Sequence, residues 1–250
     1  MDHASGGGGP GLRWGRVVLW ATAELLFPPR CVVRGCARAG TWLCPACVAG
    51  IEPLAGRRCP RCAARCGRGE RCPACHGAAP FARVTAVGPY AGVLREALHA
   101  LKYRGVRGVA GPLAALAARA LGTAPAGAVV VGVPAHGGRL AGRWLDHAAL
   151  LADGVGAALR LQVQPRAMVR QRATRPQVGL DPAERAANLS GAFRASAVVR
   201  GARVVLVDDV MTTGATVREV SAALLAAGAR SVDVCVVARA DQAPRRSAPR

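Results

Sequence analysis

The residues with the most chemical potential lie between Arg203 and Thr216, which read R-V-V-L-V-D-D-V-M-T-T-G-A-T. Val204 to Val207 form an apolar run long enough for a strand buried on both faces, as in a parallel sheet. The run stops at two adjacent carboxylates, Asp208 and Asp209, where a strand with only a packing role gains nothing from charge. Val210 and Met211 lead into Thr212, Thr213, Gly214, Ala215 and Thr216, which place hydroxyl donors around a glycine. Val217 to Ala227 then resumes an apolar helical period, so strand, tight turn and helix start follow in order. Backbone N–H groups at a helix N-terminus, with threonine hydroxyls beside them, cradle a phosphate monoester. Gly214 lets the backbone approach closely and visit positive φ. The acids repel phosphate but accept hydrogen bonds from vicinal hydroxyls. A ribose 5-phosphate satisfies both, with its phosphate on the turn and its 2- and 3-hydroxyls on the acids. A divalent cation bridging those hydroxyls and a second phosphate group fits the same hard oxygens.

A second constellation is made of thiols. Nine of the ten cysteines lie between Cys31 and Cys75. Cys44/Cys47, Cys59/Cys62 and Cys72/Cys75 are C-x-x-C pairs, and Cys31/Cys36 is a looser one. Repeated knuckles in a chain expected in a reducing cytoplasm point to tetrahedral zinc rather than disulfides. The segment has too few large apolar residues for a core of its own, so metal would supply its folding energy. Taken in sequence order, Cys31, Cys36, Cys44 and Cys47 serve one ion, and Cys59, Cys62, Cys72 and Cys75 another. Cys66 and His76 are spare thiol and imidazole ligands that compete with them.

These two stretches carry a family resemblance. Val204–Thr216 resembles the phosphoribosyl pyrophosphate (PRPP) loop of type I phosphoribosyltransferases. The cysteine-rich segment resembles the double zinc ribbon at the N-terminus of ComF-family proteins. There the first knuckle is C-x-x-C, whereas here Arg34 stands where its second cysteine would fall. Cys36 either substitutes after a local shift or leaves the first site weakened. The phrase A-L-K-Y-R-G from Ala100 to Gly105 also resembles the ComF pattern, and makes Lys102 either a phosphate contact or a solvated helix-end lysine.

The apolar strand Val129–Val131 precedes Gly132 to Arg139, in the place of the turn that cradles pyrophosphate in type I phosphoribosyltransferases. Arg139 suits that chemistry, because guanidinium contacts phosphate through two donors. Family members continue with Arg-Gly-Phe-Asn-Gln. This chain reads Arg143-Trp144-Leu145-Asp146-His147, keeping the arginine and losing the glycine, asparagine and glutamine. Met168 to Ser190 is a long polar segment whose Arg170, Arg172, Thr174, Gln177, Arg185 and Asn188 resemble the ComF pattern. Its arginines suit a flap closing over a diphosphate. Thr212 and Ala215 replace an aspartate and a lysine of the hypoxanthine–guanine subclass, which argues against that subclass.

The resemblance implies an α/β fold: a type I phosphoribosyltransferase-like parallel sheet flanked by helices, preceded by a small zinc-ribbon domain. The divisions expected are a flexible N-terminus with a short helix (1–30), a double zinc ribbon (31–79), the transferase-like domain (80–240) and a disordered basic tail (241–250). Structural Zn2+, and Mg2+ accompanying PRPP, are the implied cofactors. In an enzyme of this kind Asp208 and Asp209 would hold the ribose, and Val210 to Thr216 the 5-phosphate. Arg139, Arg143, Lys102, Arg170 and Arg172 would face the leaving pyrophosphate as a nitrogen base takes the phosphoribosyl group. The family is associated with natural competence and DNA uptake. That implies a second function, a non-catalytic accessory protein that binds single-stranded DNA beside the competence helicase machinery.

Bulk composition narrows the rest. The formal charge of +20 invites a polyanionic partner, although Lys102 is the only lysine and the arginine bias accompanies heavy use of Ala, Gly and Pro. Aromatics at 4% argue against an extended base-stacking platform, so any DNA contact would be phosphate-driven. No stretch reaches membrane-spanning length. Val17 to Phe27 is interrupted by Glu24, stopped by Pro28-Pro29 and followed by no small-residue cleavage site, which argues against a secretory signal. Further elements expected are a helix from Trp14 to Phe27, a strand at Val84–Val87 and a helix carrying Leu94, Leu98 and Leu101. A helix at Leu113–Leu121, one at Ala148–Leu161 and a strand at Ser231–Ala238 complete the set. Cys235 reads as inert core.

Overall fold

The computed structural model describes residues 28–36, 38–67, 72, 74–75, 78–134, 146–171, 189 and 191–241. A short helix, α1 (Pro45–Ala49), sits in the cysteine-rich segment. The body then runs β1 (Arg83–Pro89), α2 (Gly92–Tyr103), α3 (Ala110–Leu121), β2 (Ala128–Gly132), α4 (His147–Leu159) and β3 (Gln162–Val163). It continues with β4 (Met168–Arg170), β5 (Phe193–Ala195), β6 (Arg203–Met211), α5 (Ala215–Ala226) and β7 (Ser231–Arg239). Five strands form one sheet in the order β1-β7-β6-β2-β3, every pair parallel. β4 and β5 pair antiparallel in a separate two-stranded ladder.

The alternation along β6 explains the layers. Val204 and Leu206 face one core with Val217, Val220 and Leu224 of α5, and with Met168 and Phe193 of the small ladder. Val205 and Val207 face the other, with Leu94, Leu98 and Leu101 of α2, Leu113 of α3 and Leu151 of α4. Both faces of the sheet are therefore covered, as apolar runs in parallel strands require. α2 buries Leu94, Ala97, Leu98 and Leu101, one stripe at helical spacing. α4 is started by Asp146, whose carboxylate accepts the Ala149 N–H at 3.0 Å.

The cysteine-rich head is built into this body. Cys31 and Cys44 belong to the core under α2 and α3, whereas Cys59, Cys62, Cys72 and Cys75 belong to the core under α5. The chain between them passes β1 at Gly88, where a Cβ would meet the Glu52 carbonyl oxygen at 2.7 Å. Arg104 donates to the Val32 carbonyl at 2.9 Å, and Arg58 pairs with Asp241 at 2.6 Å.

Some expectations shift. The acid pair lies inside β6, which continues past Val207 to Met211, because β7 carries the ladder on through Val210 and Met211. α4 stops at Leu159, since Arg160 turns left-handed at φ 55°, so Leu161 lies beyond it. The long polar segment opens as a strand, because Met168–Arg170 pairs with Phe193–Ala195. The helix expected at Trp14–Phe27 lies outside the described residues.

Candidate ribose phosphate site and cysteine clusters

β6 delivers Asp208 and Asp209 to the carboxyl end of the sheet, where open α/β folds bind ligands. The Asp208 carboxylate turns back to accept the Asp209 N–H at 2.8 Å. Asp209 accepts from the Lys102 ammonium at 2.8 Å, both side chains being largely buried. Burial first, and then the charge of Asp209, pushes Asp208 up to about 8; Lys102 and the Asp209 N–H pull the other way, and Asp146 adds to the rise. Burial works to lower Lys102, but the charge and hydrogen bond of Asp209, with Asp208 behind, win and hold it raised. With Asp208 inclined to keep its proton and Asp209 paired with Lys102, the carboxyl oxygens remain as acceptors for sugar hydroxyls, and loss of the Asp208 proton leaves an anionic pair suited to a hard divalent cation.

The turn that follows is tightly specified. Gly214 has φ 81°, and a Cβ there would run into the Met211 methyl group. Thr213 accepts the Ala215 N–H on its hydroxyl at 3.3 Å, starting α5. The dipole of α5 places partial positive charge at this end. Underneath, Arg239 at the end of β7 is 3% exposed. Its Nη1 donates to the carbonyls of Met211 at 2.9 Å, Ala240 at 2.7 Å and Thr212.

The cysteines form two cages. Sγ–Sγ separations are 3.7 Å for Cys31–Cys47 and 3.6 Å for Cys36–Cys44. They are 3.6 Å for Cys59–Cys75 and 3.5 Å for Cys62–Cys72. A disulfide needs about 2.05 Å, whereas four sulfurs at about 2.3 Å from a tetrahedral zinc lie about 3.8 Å apart. All ligand atoms in each group lie within 4.8 Å of one another, so both cages fit a tetrahedral zinc ion. Cys36 completes the first cage despite Arg34, whose backbone N–H is taken by the Glu96 carboxylate. The Cys47 N–H holds the Cys44 thiol down at about 7 against desolvation. Burial opposes ionisation of Cys72, but the N–H groups of Cys75 and Ala74 outweigh it and hold that thiol at about 6. Cys66 stays outside the second group and donates to the Ala64 carbonyl at 3.6 Å; burial raises it to about 11. Cys235 is buried, raised by that burial to about 12, and donates to the Ala117 carbonyl.

Lys102 is thus brought to the acid pair from α2. Arg170 lies on β4 with its guanidinium 5.1 Å from the centre of the Phe193 ring. Arg139, Arg143, Arg172 and His76 lie outside the described residues. Sequence reasoning missed Arg239 and Arg218. Arg218, one turn into α5, donates to the Ala78 carbonyl at 3.2 Å and to the Ala74 carbonyl, tying the loop's helix to the second cysteine cage. Neither belongs to a motif; only their positions, Arg239 across the ladder from Met211 and Arg218 one turn into α5, could have flagged them.

Comparison with known proteins agrees with this architecture. Residues 94–249 match the family model of the phosphoribosyl transferase domain, and residues 22–76 that of the double zinc ribbon domain. The chain is 33% identical over 210 residues to the DNA utilization protein YhgH of Escherichia coli O157:H7, covering 81% of this chain and 86% of that one. It is 33% identical over 214 residues to YhgH of Salmonella typhimurium, covering 82% and 88%. Among solved structures it is similar to the allosteric regulatory enzyme of purine biosynthesis, at 27% identity and a TM-score of 0.37 over 52% of this chain and 26% of that one. Glutamine PRPP amidotransferase from B. subtilis, complexed with ADP and GMP, matches at 28% identity and a TM-score of 0.36, over 50% and 25%. This chain thus spans about a quarter of the length of those two structures. With both domain models matched in order and full-length relatives a third identical, the chain belongs to the ComF family, a double zinc ribbon joined to a phosphoribosyltransferase domain.

Proposed function

We propose that the turn between β6 and α5 binds PRPP, or a nucleotide carrying a ribose 5-phosphate, in the presence of Mg2+. The observation that carries this reading is the acid pair at the carboxyl end of a central parallel strand, followed at once by Thr212 to Thr216 at a helix N-terminus. Asp208 and Asp209 accept hydrogen bonds from the 2- and 3-hydroxyls, and the 212–216 turn takes the 5-phosphate. Lys102 sits on the acid pair, where it balances the Asp209 carboxylate. Arg139, Arg143, Arg170 and Arg172 are assigned to the pyrophosphate side by their place in the sequence. Bound magnesium would screen the charge of the departing pyrophosphate. The chain's own contribution to transfer onto a nitrogen base is orientation of the sugar and fixed charge. The two cysteine cages hold structural zinc.

Calorimetry with Mg-PRPP, followed by pyrophosphate release with a panel of nitrogen bases, tests the proposal. Binding with release makes the protein a transferase, and binding alone makes it a sensor of ribose phosphates. Absence of binding to zinc-loaded protein would refute the site. A second reading is favoured by the charge of +20, the arginine-rich cysteine segment and relatives named for DNA utilization. In it the chain grips single-stranded DNA through its phosphates, and a loss of binding at physiological ionic strength would eliminate that function.

A further inference from the structure

We infer that Arg239 is a positioning residue for the phosphate turn: its buried guanidinium fixes the peptide planes that aim the first N–H groups of the turn at the ligand. The inference rests on the reading of the 212–216 turn given above.

An arginine 3% exposed carries a desolvation cost that an acid partner normally offsets. Arg239 has no carboxylate within ion-pair distance among the described residues, because the nearby Asp241 is held by Arg58 at 2.6 Å. Its donors go instead to three backbone carbonyls, those of Met211, Thr212 and Ala240. Its Nε is buried without a partner among the described residues. The guanidinium is therefore held through Nη1, by main-chain carbonyls at the end of β6, in the turn and just past β7.

The location explains what this does. The β6–β7 ladder ends at the Met211–Arg239 pair, closed by the Ala240 N–H on the Met211 carbonyl at 3.0 Å. Past that point no strand neighbour orients the chain, yet the next residues must present donors to an anion. A trans peptide unit points its C=O and its N–H in opposite directions. The Met211 carbonyl, held by Arg239 together with the Ala240 N–H, turns the Thr212 N–H away from that side. Holding the Thr212 carbonyl does the same for the Thr213 N–H. Gly214, left-handed at φ 81°, then turns the chain into α5. Two consecutive N–H groups facing one side, followed by a left-handed residue and a helix start, form the concave arrangement that binds anions. All three carbonyls are met through Nη1 at the tip of a rigid planar guanidinium, a placement that a lysine's ammonium on its flexible stem does not reproduce.

Hydrogen exchange by mass spectrometry on Arg239→Met and Arg239→Lys tests this in the ligand-free, zinc-loaded protein. Peptides covering 209–218 should exchange about tenfold faster or more in both variants, while β1, β2 and α3 keep wild-type protection. Mg-PRPP affinity should fall by at least about tenfold, with zinc content unchanged. Wild-type exchange across 209–218 would overturn the inference. So would a uniform rise over the whole body, which marks a core-filling role; if the methionine variant fails to fold, the lysine variant decides alone. Should wild-type protein fail to bind Mg-PRPP, the ligand reading falls, whereas the exchange pattern still judges Arg239.

Discussion

Asp208→Asn isolates the electrostatic cost of the acid pair. Asparagine keeps the shape and the oxygen that accepts the Asp209 N–H at 2.8 Å, and removes only the charge. In the folded protein Asp208 is pushed from 3.8 up to about 8, by burial above all. The folded value is the higher one, so the protonated acid is the form that folding favours. Its contribution to stability is complete below about pH 4, and drains away as pH rises toward the folded value near 8. At 1.36 kcal/mol per pH unit of displacement, the wild type should lose about 2–3 kcal/mol between about pH 6 and about pH 9 that the variant does not lose. Urea unfolding of both proteins across that range, in chelator-free buffer, reads the difference directly. Groups that do not face Asp208 titrate alike in both proteins and cancel. The stability gap should widen with pH in favour of Asp208→Asn, while Mg-PRPP binding disappears. Parallel curves would show that Asp208 is ordinarily solvated and that no charge cost is stored at the site.

The other predictions concern the parts that hold the site. Cys36→Ala should lower bound zinc to about one ion per chain, counted by metal analysis of soluble protein; an undiminished count would remove Cys36 from the first cage. Arg218→Ala releases the Ala74 and Ala78 carbonyls beside the second cage, so zinc loss to a colorimetric chelator should speed up by about tenfold. Gly214→Ala must adopt φ 81° and displace the Met211 methyl group, costing about 1–2 kcal/mol in urea unfolding and weakening Mg-PRPP binding. Lys102→Met strands Asp209 without its 2.8 Å partner; a loss of about 3 kcal/mol is expected at pH 8 and a smaller one at pH 6, where Asp208 keeps its proton and adds no second charge.

Much of the fold could be read from local pattern. Apolar runs gave β2, β6 and β7 their places, and the stripe through Leu94, Leu98 and Leu101 gave α2, because burial against one sheet imposes its period on neighbouring residues. The first cage was harder. Arg34 breaks the expected knuckle, and nothing in the order of residues decides whether Cys36 can reach Cys44; the 3.6 Å between their sulfurs does. The start of the polar segment read as loop, because three residues such as Met168–Arg170 carry no period, and only pairing with Phe193–Ala195 makes them a strand.

The amino-acid sequence on its own determined the chemistry available: the acid pair and the threonine–glycine turn are neighbours along the chain, so their spacing is their geometry, and the clustered cysteines supply the metal ligands. Tertiary structure alone decided what stands opposite them. Lys102 is 107 residues from Asp209, and Arg239 is 27 from Thr212. Such pairs arise from strand order and register, with β7 beside β6 and α2 packed under both. Cooperative packing of the whole sheet sets those, and no local window of residues encodes them.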